Sequence, residues 1–249
     1  MIDNAPVVDF HGHVGNWEMM GMLDEPSRML HAMDAAGVDR ACVFNIFHPD
    51  GRTGNDSTAA FVARHPDRFI GFAYVSPMMP ATNVAELTRG IDELGLLGIK
   101  IYPPYTTFPL DHHAWHPIFA FAEARELVVL SHTDNGELSE PRHLGAAAAN
   151  FPGAIFVAGH AGNIEPYRTQ AIDMAQKLPN FYVETCSTYR SPGVIEQLVS
   201  GAGAERVLFG SDQPLMDPRV QLGKILTADI TDAEKRLVIG GNAQRLLGL

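Results

Sequence analysis

Residues 6–13 read PVVDFHGH, a short apolar run that ends in two histidines. Seven further runs of similar length follow along the chain: RACVFNIF (40–47), FIGFAYVS (69–76), LLGIKIYP (96–103), LVVLSHT (127–133), AIFVAGHA (154–161), FYVETCS (181–187) and RVLFGSD (206–212). Buried parallel strands have this character, because both of their faces are covered by other elements. Segments with the 3.6-residue apolar periodicity of helices lie between the runs. The chain therefore reads as strand and helix in alternation.

Eight strand–helix units in 249 residues match the length and cadence of a TIM barrel. We therefore predict an α/β fold, a single-domain (β/α)8 TIM barrel over residues 1–249. No Pro/Ser/Gly-rich linker, charge block or internal repeat interrupts the alternation. An open doubly wound sheet is the alternative, but the G-x-G-x-x-G fingerprint of a dinucleotide site does not follow the first strand.

The composition excludes several classes of partner. The chain carries 18 Lys and Arg against 29 Asp and Glu, a net charge of −11. Nucleic acids and anionic membranes are bound chiefly through clustered Lys and Arg, so neither is an expected partner. No segment approaches the ~20 apolar residues that a bilayer span needs. Cys42 and Cys186 lie in apolar runs without paired metal spacing, which predicts buried free thiols. Free thiols suit a reducing compartment, so we expect a cytoplasmic protein. Because nucleic acids and membranes are not expected partners, we expect the protein to act on a small molecule.

The first strand carries polar residues at alternate positions. Asp9, His11 and His13 share the parity of Val7, so they should face the same side of the sheet. His11 and His13 lie at the carboxyl end of this strand, which is the end where TIM barrels build their active sites. The two imidazoles should therefore point in the same direction.

Three other strands also end in a polar residue. His132 ends the fifth run, His160 the sixth and Asp212 the eighth. In a closed barrel these ends surround one mouth, where residues distant in sequence converge. Burying so many titratable groups without partners would cost several kcal/mol. Nitrogen and oxygen ligands around an open position predict a divalent metal that activates water.

These residues belong to motifs that resemble the amidohydrolase superfamily, in the amidohydrolase-2 branch that contains aminocarboxymuconate-semialdehyde decarboxylase. The resemblance covers nearly the whole chain and is carried by VVDFHGH, HPDRFIGFAYVSP, GIKIYP, HPIFAFAEARELVVLSHT, FVAGHAG, VLFGSDQP and IGGNAQRLLGL. It implies one divalent metal, most often zinc and sometimes manganese. Matched residue by residue, it implies that His11, His13, His132 and Asp212 hold this metal. His160 matches the family's histidine near the metal-bound water and substrate, which is a ligand in some members.

Lys100 leaves the number of metals open. It shares parity with Tyr102 and should face the barrel interior near the mouth. Dihydroorotase-like members of the wider superfamily have a similar lysine, which is carboxylated and bridges two metals, and His160 could complete such a site. We favour one metal, with Lys100 as a cationic contact for a substrate oxygen, because the remaining segments match the single-metal branch better.

The predicted chemistry is metal-dependent hydrolysis of a small amide, ester or lactone. Asp212 would take a proton from the metal-activated water, and His160 would orient the water or stabilise the oxyanion. The alternative is non-oxidative decarboxylation of a small aromatic or muconate-like carboxylate. A decarboxylase would need a cationic clamp, for which Arg52, Arg142 and Arg190 are candidates. A barrel that binds a metal or ligand without turnover is disfavoured by the complete ligand set.

Aromatic side chains near the mouth are candidates for an apolar substrate pocket. Five lie in or beside the loops after strands 1 and 4: Trp17, Tyr102, Tyr105, Phe108 and Trp115. They could instead pack these loops onto the barrel rim. The predicted substrate-binding set combines Trp17 and Tyr102 with the cations Lys100 and Arg190. The family likeness also suggests a homodimer.

Overall fold

The sheet is a barrel of parallel strands, each hydrogen-bonded to the next in chain order. This computed structural model describes residues 5–18, 21–23, 25–186 and 191–249. Within these ranges the strands are β1 (Val8–His13), β2 (Arg40–Phe44), β3 (Phe69–Tyr74), β4 (Gly98–Ile101), β5 (Val128–His132), β6 (Ile155–Gly159), β7 (Phe181–Glu184) and β8 (Val207–Leu208). Each strand lies inside one of the predicted apolar runs, and the predicted TIM barrel is confirmed.

The barrel closes where β1 meets the residues that follow β8. Phe10 N donates a hydrogen bond to Phe209 O at 2.8 Å, and His13 N donates to Gln213 O at 2.7 Å. An isolated parallel bridge also joins Gly12 to Gln213. The first and last strands therefore meet at the edge that carries the polar strand ends.

Helices cover the outside of the barrel. They are α1 (Pro26–Ala36), α2 (Arg52–Arg64), α3 (Asn83–Thr88), α4 (His116–Ala124), α5 (Pro141–Asn150), α6 (Tyr167–Lys177), α7 (Val194–Ala202), α8 (Pro218–Leu226), α9 (Asp232–Arg236) and α10 (Asn242–Leu247). Pro26 begins α1 with a φ fixed by its ring, and Gly37 ends it in the left-handed conformation that most side chains disfavour. Met29 and Met33 bury the inner face of this helix. Among the described helices, none has the length and apolar character needed to cross a bilayer.

Two apolar layers stabilise the fold. Phe10, Phe44 and Phe72 belong to the cluster inside the barrel, and Phe69 and Phe119 belong to the cluster between strands and helices. Phe10 meets Phe72 edge to face, with ring centroids 5.5 Å apart. Each fully buried side chain of this size stabilises the fold by roughly 1.5–3 kcal/mol. The inner layer forms a packed floor beneath the mouth of the barrel.

The first strand departs from simple alternation. Its register against β2 gains one residue between Asp9 and Gly12, which is the signature of a β-bulge. Phe10, His11 and His13 therefore all face the barrel interior, where both imidazoles pack against the inner aromatic cluster. The prediction that Asp9 shares the face of the two histidines is wrong, because the bulge shifts the parity by one residue.

Candidate active site

Three of the predicted metal ligands converge where β1 meets the chain after β8. Oδ1 of Asp212 lies 3.0 Å from His13 Nε2 and 3.6 Å from His11 Nε2. All three side chains are buried, and they form a group that could hold a metal ion. Ligands bound at ~2.1 Å to one ion lie roughly 3.0–3.4 Å apart in octahedral or tetrahedral geometry. The spacing therefore fits a single divalent metal.

The buried atoms of this group test the fit independently. Among the described residues, neither Asp212 Oδ1 nor His13 Nδ1 has a well-aligned hydrogen bond, although His13 Nε2 lies 3.0 Å from Asp212 Oδ1. A buried carboxylate oxygen without a partner raises the free energy of the folded state. A divalent cation would give Asp212 Oδ1 the partner that it lacks. His11, His13 and Asp212 thus fit the metal that the family resemblance implies.

Two of the predicted catalytic residues have an unusual backbone conformation. Asp212 has φ 65° and His160 has φ 66°. A residue other than glycine in this region carries about 1–3 kcal/mol of strain. Asp212 N donates a hydrogen bond to His11 O at 2.8 Å, which links the strained residue to the strand that carries His11. This hydrogen bond holds Asp212 in place at the mouth.

Asp9 braces the two segments that carry the metal ligands. Its Oδ1 accepts hydrogen bonds from His11 N (3.1 Å) and Ser211 N (2.8 Å). Its Oδ2 accepts from Ser211 Oγ and from Gln213 Nε2 (2.7 Å). Burial raises the pKa of Asp9 to about 7, although these donors oppose the shift. Because Ser211 and Gln213 flank Asp212, this one carboxylate fixes the relative position of both ligand segments.

The electrostatics of the three ligands favour metal binding. Burial lowers the pKa of His11 well below its ordinary value, and the Lys100 ammonium lowers it further. Burial also lowers the pKa of His13, although Asp212 opposes the shift. Burial alone would raise the pKa of Asp212, but His13 and His160 outweigh it and the pKa falls below its usual range. At neutral pH the site presents neutral imidazoles and a carboxylate, which are the metal-binding protonation states.

A second group of side chains lies on the Nδ1 side of His11, and sequence analysis did not assign it to the site. Glu184 Oε2 accepts from His11 Nδ1 (3.0 Å), Cys186 Sγ (2.8 Å) and His160 N (3.2 Å). A carboxylate at Nδ1 fixes the tautomer whose Nε2 lone pair faces the metal. Burial raises the pKa of Glu184 to about 8. The run FYVETC carried the same signal as the histidine runs, a charged residue that closes an apolar strand.

His160 lies beside His11, with ring centroids 5.0 Å apart. Its Nδ1 lies 3.0 Å from Cys186 O, so we assign the ring proton to Nδ1 as the donor of this hydrogen bond. Nε2 is then an acceptor. Burial lowers the pKa of His160 to about 3, with His132 adding to the effect, so the ring is neutral at pH 7. His160 therefore lies beside the predicted metal ligand His11, and its catalytic role stays a prediction.

His132 stands apart from the three converging ligands. Its Nε2 lies 2.9 Å from Asp134 Oδ2, and its ring packs 4.6 Å from His160 and 4.8 Å from Tyr102. The structure thus brings three of the four predicted ligands together, and metal ligation by His132 stays a prediction. Asp134 was not singled out from the sequence, where it lies in an ordinary loop segment, HTDNG.

Lys100 is fully buried inside the barrel. Its Nζ lies 3.2 Å from His11 Nε2 and 4.4 Å from the centroid of the Phe44 ring. Burial lowers the pKa of Lys100 to about 8, so the ammonium is still the main form at pH 7. The lysine therefore adjoins the predicted metal ligand His11 and faces the barrel interior, as the sequence predicts. Its role as a substrate contact, or as a carboxylated bridge, stays a prediction.

An apolar cavity of about 450 Å³ opens beside the ligands. Trp17, Phe47 and Tyr105 contribute aromatic walls. The Phe47 ring lies 5.1 Å from Trp17 and 6.4 Å from the His13 ring, so the cavity approaches the metal ligands. The ring centroid of Tyr105 lies 4.5 Å from that of Tyr102. The structure places Trp17 and Tyr102 on or beside this cavity.

Among the described residues, the arginines predicted to form a cationic clamp do not come together. The Arg52 side chain is 64% exposed and lies 3.9 Å from Glu86, and the Arg142 side chain is 60% exposed and pairs with Glu140. Arg190, which was predicted to bind substrate, lies outside the described residues.

A sequence model of the amidohydrolase family, in its amidohydrolase-2 branch, matches residues 8–249. The chain belongs to this family. Gamma-resorcylate decarboxylase of Polaromonas sp. (strain JS666) is 24% identical to it over an alignment of 281 positions including gaps, which spans 89% of this chain and 83% of the relative. The predicted resemblance is thereby confirmed.

Solved structures of similar proteins share the fold of this amidohydrolase. A crystal structure of 2,6-dihydroxybenzoate decarboxylase complexed with 2,6-dihydroxybenzoate has a TM-score of 0.82 at 20% identity, covering 98% of this chain and 99% of that one. A dihydroxybenzoic acid decarboxylase from Polaromonas sp. JS666, with bound manganese and the inhibitor 2-nitroresorcinol, has a TM-score of 0.80 at 18% identity, covering 98% and 97%. These relatives decarboxylate aromatic acids, so they agree with the predicted alternative, decarboxylation, better than with hydrolysis.

Proposed function

We propose that this amidohydrolase is a metal-dependent, non-oxidative decarboxylase of small hydroxylated aromatic carboxylates. The observation that carries the proposal is an aromatic cavity whose Phe47 ring lies 6.4 Å from the ring of His13, one of three converging side chains that could hold a metal ion. The decarboxylating relatives support it. It replaces hydrolysis of an amide, ester or lactone as the preferred activity.

The cavity suits an aromatic ring. Its described lining consists of apolar and aromatic side chains with a few neutral polar ones: Asn16, Trp17, Ile46, Phe47, Pro49, Tyr74, Ser76, Met78 and Tyr105. No described lining residue is charged. A planar aromatic ligand would therefore enter with its ring between the aromatic walls and its carboxylate toward His13 and Asp212, which would hold the cation together with His11.

A bound divalent metal would supply positive charge that holds the carboxylate and stabilises the electron pair developing on the ring. In this proposal the Asp212 carboxylate, through the oxygen that the metal would leave free, accepts the proton of a hydroxyl next to the substrate carboxylate and delivers it to the ring carbon. The carbon–carbon bond breaks as that proton arrives, CO2 leaves, and solvent returns a proton to the substrate oxygen. His160 Nε2 orients the ring by accepting from a second substrate hydroxyl, and the buried Lys100 ammonium adds a cationic contact for a substrate oxygen.

The identity of the metal is part of the proposal. Imidazole and carboxylate ligands suit both manganese and zinc. The solved relative from Polaromonas holds manganese, so we propose one manganese per chain in place of the zinc that the sequence favoured.

The test is turnover of 2,6-dihydroxybenzoate and related hydroxybenzoates by manganese-loaded protein in D2O. Decarboxylation is expected to release CO2 and to leave one deuterium on the ring carbon that carried the carboxylate. A parallel panel of lactones and small amides tests hydrolysis. Hydrolysis of that panel with no CO2 from any hydroxybenzoate would overturn the proposal.

A further inference from the structure

Cys186 lies against the metal centre without belonging to its ligand set. Its Sγ lies 3.1 Å from His11 Nδ1 and 3.2 Å from His160 Nδ1. All three residues are buried, and their ligand atoms lie within 4.8 Å of one another. Two donor sets therefore meet at His11, one containing the Asp212 carboxylate and the other containing a thiol.

The thiol-containing set has the chemistry of a soft metal site. Thiolate and imidazole donors select zinc, cobalt and cadmium, whereas carboxylate-containing sets accept manganese readily. In a tetrahedral zinc site, bonds of ~2.3 Å to sulfur and ~2.0 Å to nitrogen separate these ligands by about 3.5 Å. The observed separations of 3.1 and 3.2 Å need a shift of only a few tenths of an ångström to admit an ion.

We propose that Cys186, His160 and His11 form a second, competing site for thiophilic divalent cations. A neutral imidazole has one lone pair, so His11 offers either Nε2 to the Asp212 set or Nδ1 to the Cys186 set. Occupation of one set therefore excludes the other. On binding, the Cys186 thiol proton leaves to solvent, and His11 and His160 each move their ring proton from Nδ1 to Nε2, giving up the hydrogen bonds to Glu184 Oε2 and Cys186 O.

Occupation of this competing site would disable the proposed catalytic arrangement. The cation would engage His160 and withdraw His11 from the set that contains Asp212. Zinc and cadmium should then inhibit the enzyme under conditions in which manganese supports it. The inference goes beyond the decarboxylase proposal, because it concerns metal selection and applies whatever substrate the enzyme uses.

Cobalt(II) spectroscopy tests the site without any substrate, which separates its failure from failure of the proposed function. Wild-type protein is loaded with one equivalent of Mn2+ and titrated with Co2+. We expect a thiolate-to-cobalt charge-transfer band, with free Mn2+ released in proportion and detected by electron paramagnetic resonance. Absence of the band in the wild type, or a band that grows while manganese stays bound, would overturn the proposal.

The other buried free cysteine provides a matched control. Cys186→Ser should lose the charge-transfer band and still bind manganese, whereas Cys42→Ser should keep the band. Zinc inhibition of Cys186→Ser should weaken by about 10- to 100-fold or more. A band that survives in Cys186→Ser would refute the assignment. If this variant does not fold, the wild-type titration and the Cys42→Ser spectrum still decide the question.

Discussion

Replacing Glu184 by glutamine is expected to weaken manganese binding, although Glu184 is not itself one of the converging ligands. One of its oxygens accepts from His11 Nδ1, and the other accepts from Cys186 N. Glutamine keeps only one oxygen. If the amide nitrogen of the glutamine faces Cys186 N, two hydrogen-bond donors face each other and neither has an acceptor. If it faces His11, the imidazole must accept at Nδ1 and carry its proton on Nε2, the atom needed by the metal.

The magnitude follows from either orientation. One buried donor without a partner costs about 1–3 kcal/mol. Loss of an outer hydrogen-bond partner of a metal-binding histidine typically lowers metal affinity by about 10- to 100-fold, which is about 1.4–2.7 kcal/mol. The two figures agree, so we expect the dissociation constant for manganese to rise by one to two orders of magnitude.

Isothermal titration with Mn2+ measures this constant, and free Mn2+ can be followed by electron paramagnetic resonance. Glu93→Gln is the matched control, because it makes the same side-chain substitution at an exposed position away from the site. The control should bind manganese as the wild type does. An unchanged dissociation constant in a folded Glu184→Gln protein would refute the reasoning that this carboxylate sets the tautomer of His11.

Four further outcomes are expected. Asp212→Asn should lose roughly 10²- to 10⁴-fold in kcat and part of its metal, because an amide is a poorer ligand and cannot carry the proton; normal turnover with full metal content would remove Asp212 from the chemistry. Lys100→Met should lower turnover at unchanged metal content if the ammonium contacts substrate, whereas loss of one of two metals in elemental analysis would establish the carboxylated bridge. Burial lowers the pKa of His160 to about 3 from 6.5, so its stabilising contribution is complete above pH 6.5 and is lost as the pH falls. Between pH 7 and pH 5, the free energy of unfolding of the metal-free wild type should therefore fall by about 2 kcal/mol more than that of metal-free His160→Gln. Urea unfolding measures both, and equal falls in the two proteins would contradict the assignment. Trp17→Ala should raise KM for hydroxybenzoates more than it lowers kcat, and an unchanged KM would place Trp17 outside the substrate pocket.

The strands were predictable because burial on both faces leaves a strong sequence signal. Short apolar runs and the count of eight gave the barrel, and the strand ends gave the positions of His11, His13, His160 and Asp212. This part of the prediction depends on chain order and on the geometry of parallel strands, both of which are readable from one sequence.

The arrangement within the mouth was less predictable, because it depends on hydrogen bonds between distant segments. The bulge that turns Asp9 away from His11 leaves the alternation of VVDFHGH unchanged in the sequence. His132 Nε2 contacts Asp134, two residues further on, and this contact sets the rotamer of His132. The alternation of residues along a strand does not indicate which rotamer a side chain adopts. Glu184 was within reach, because the criterion applied to histidines also applies to a glutamate that closes an apolar run.

The Asp9 brace has a consequence for the order in which the protein folds. Its hydrogen bonds to Ser211 and Gln213 connect positions that are 202 and 204 residues apart. Closing a flexible loop of this length costs about 5 kcal/mol of chain entropy, so such contacts form after the local strand–helix units. The ion-binding geometry therefore comes into existence only when the last strand docks on the first. Metal taken up afterwards adds its binding free energy to that junction, and a chain deprived of metal should open there first.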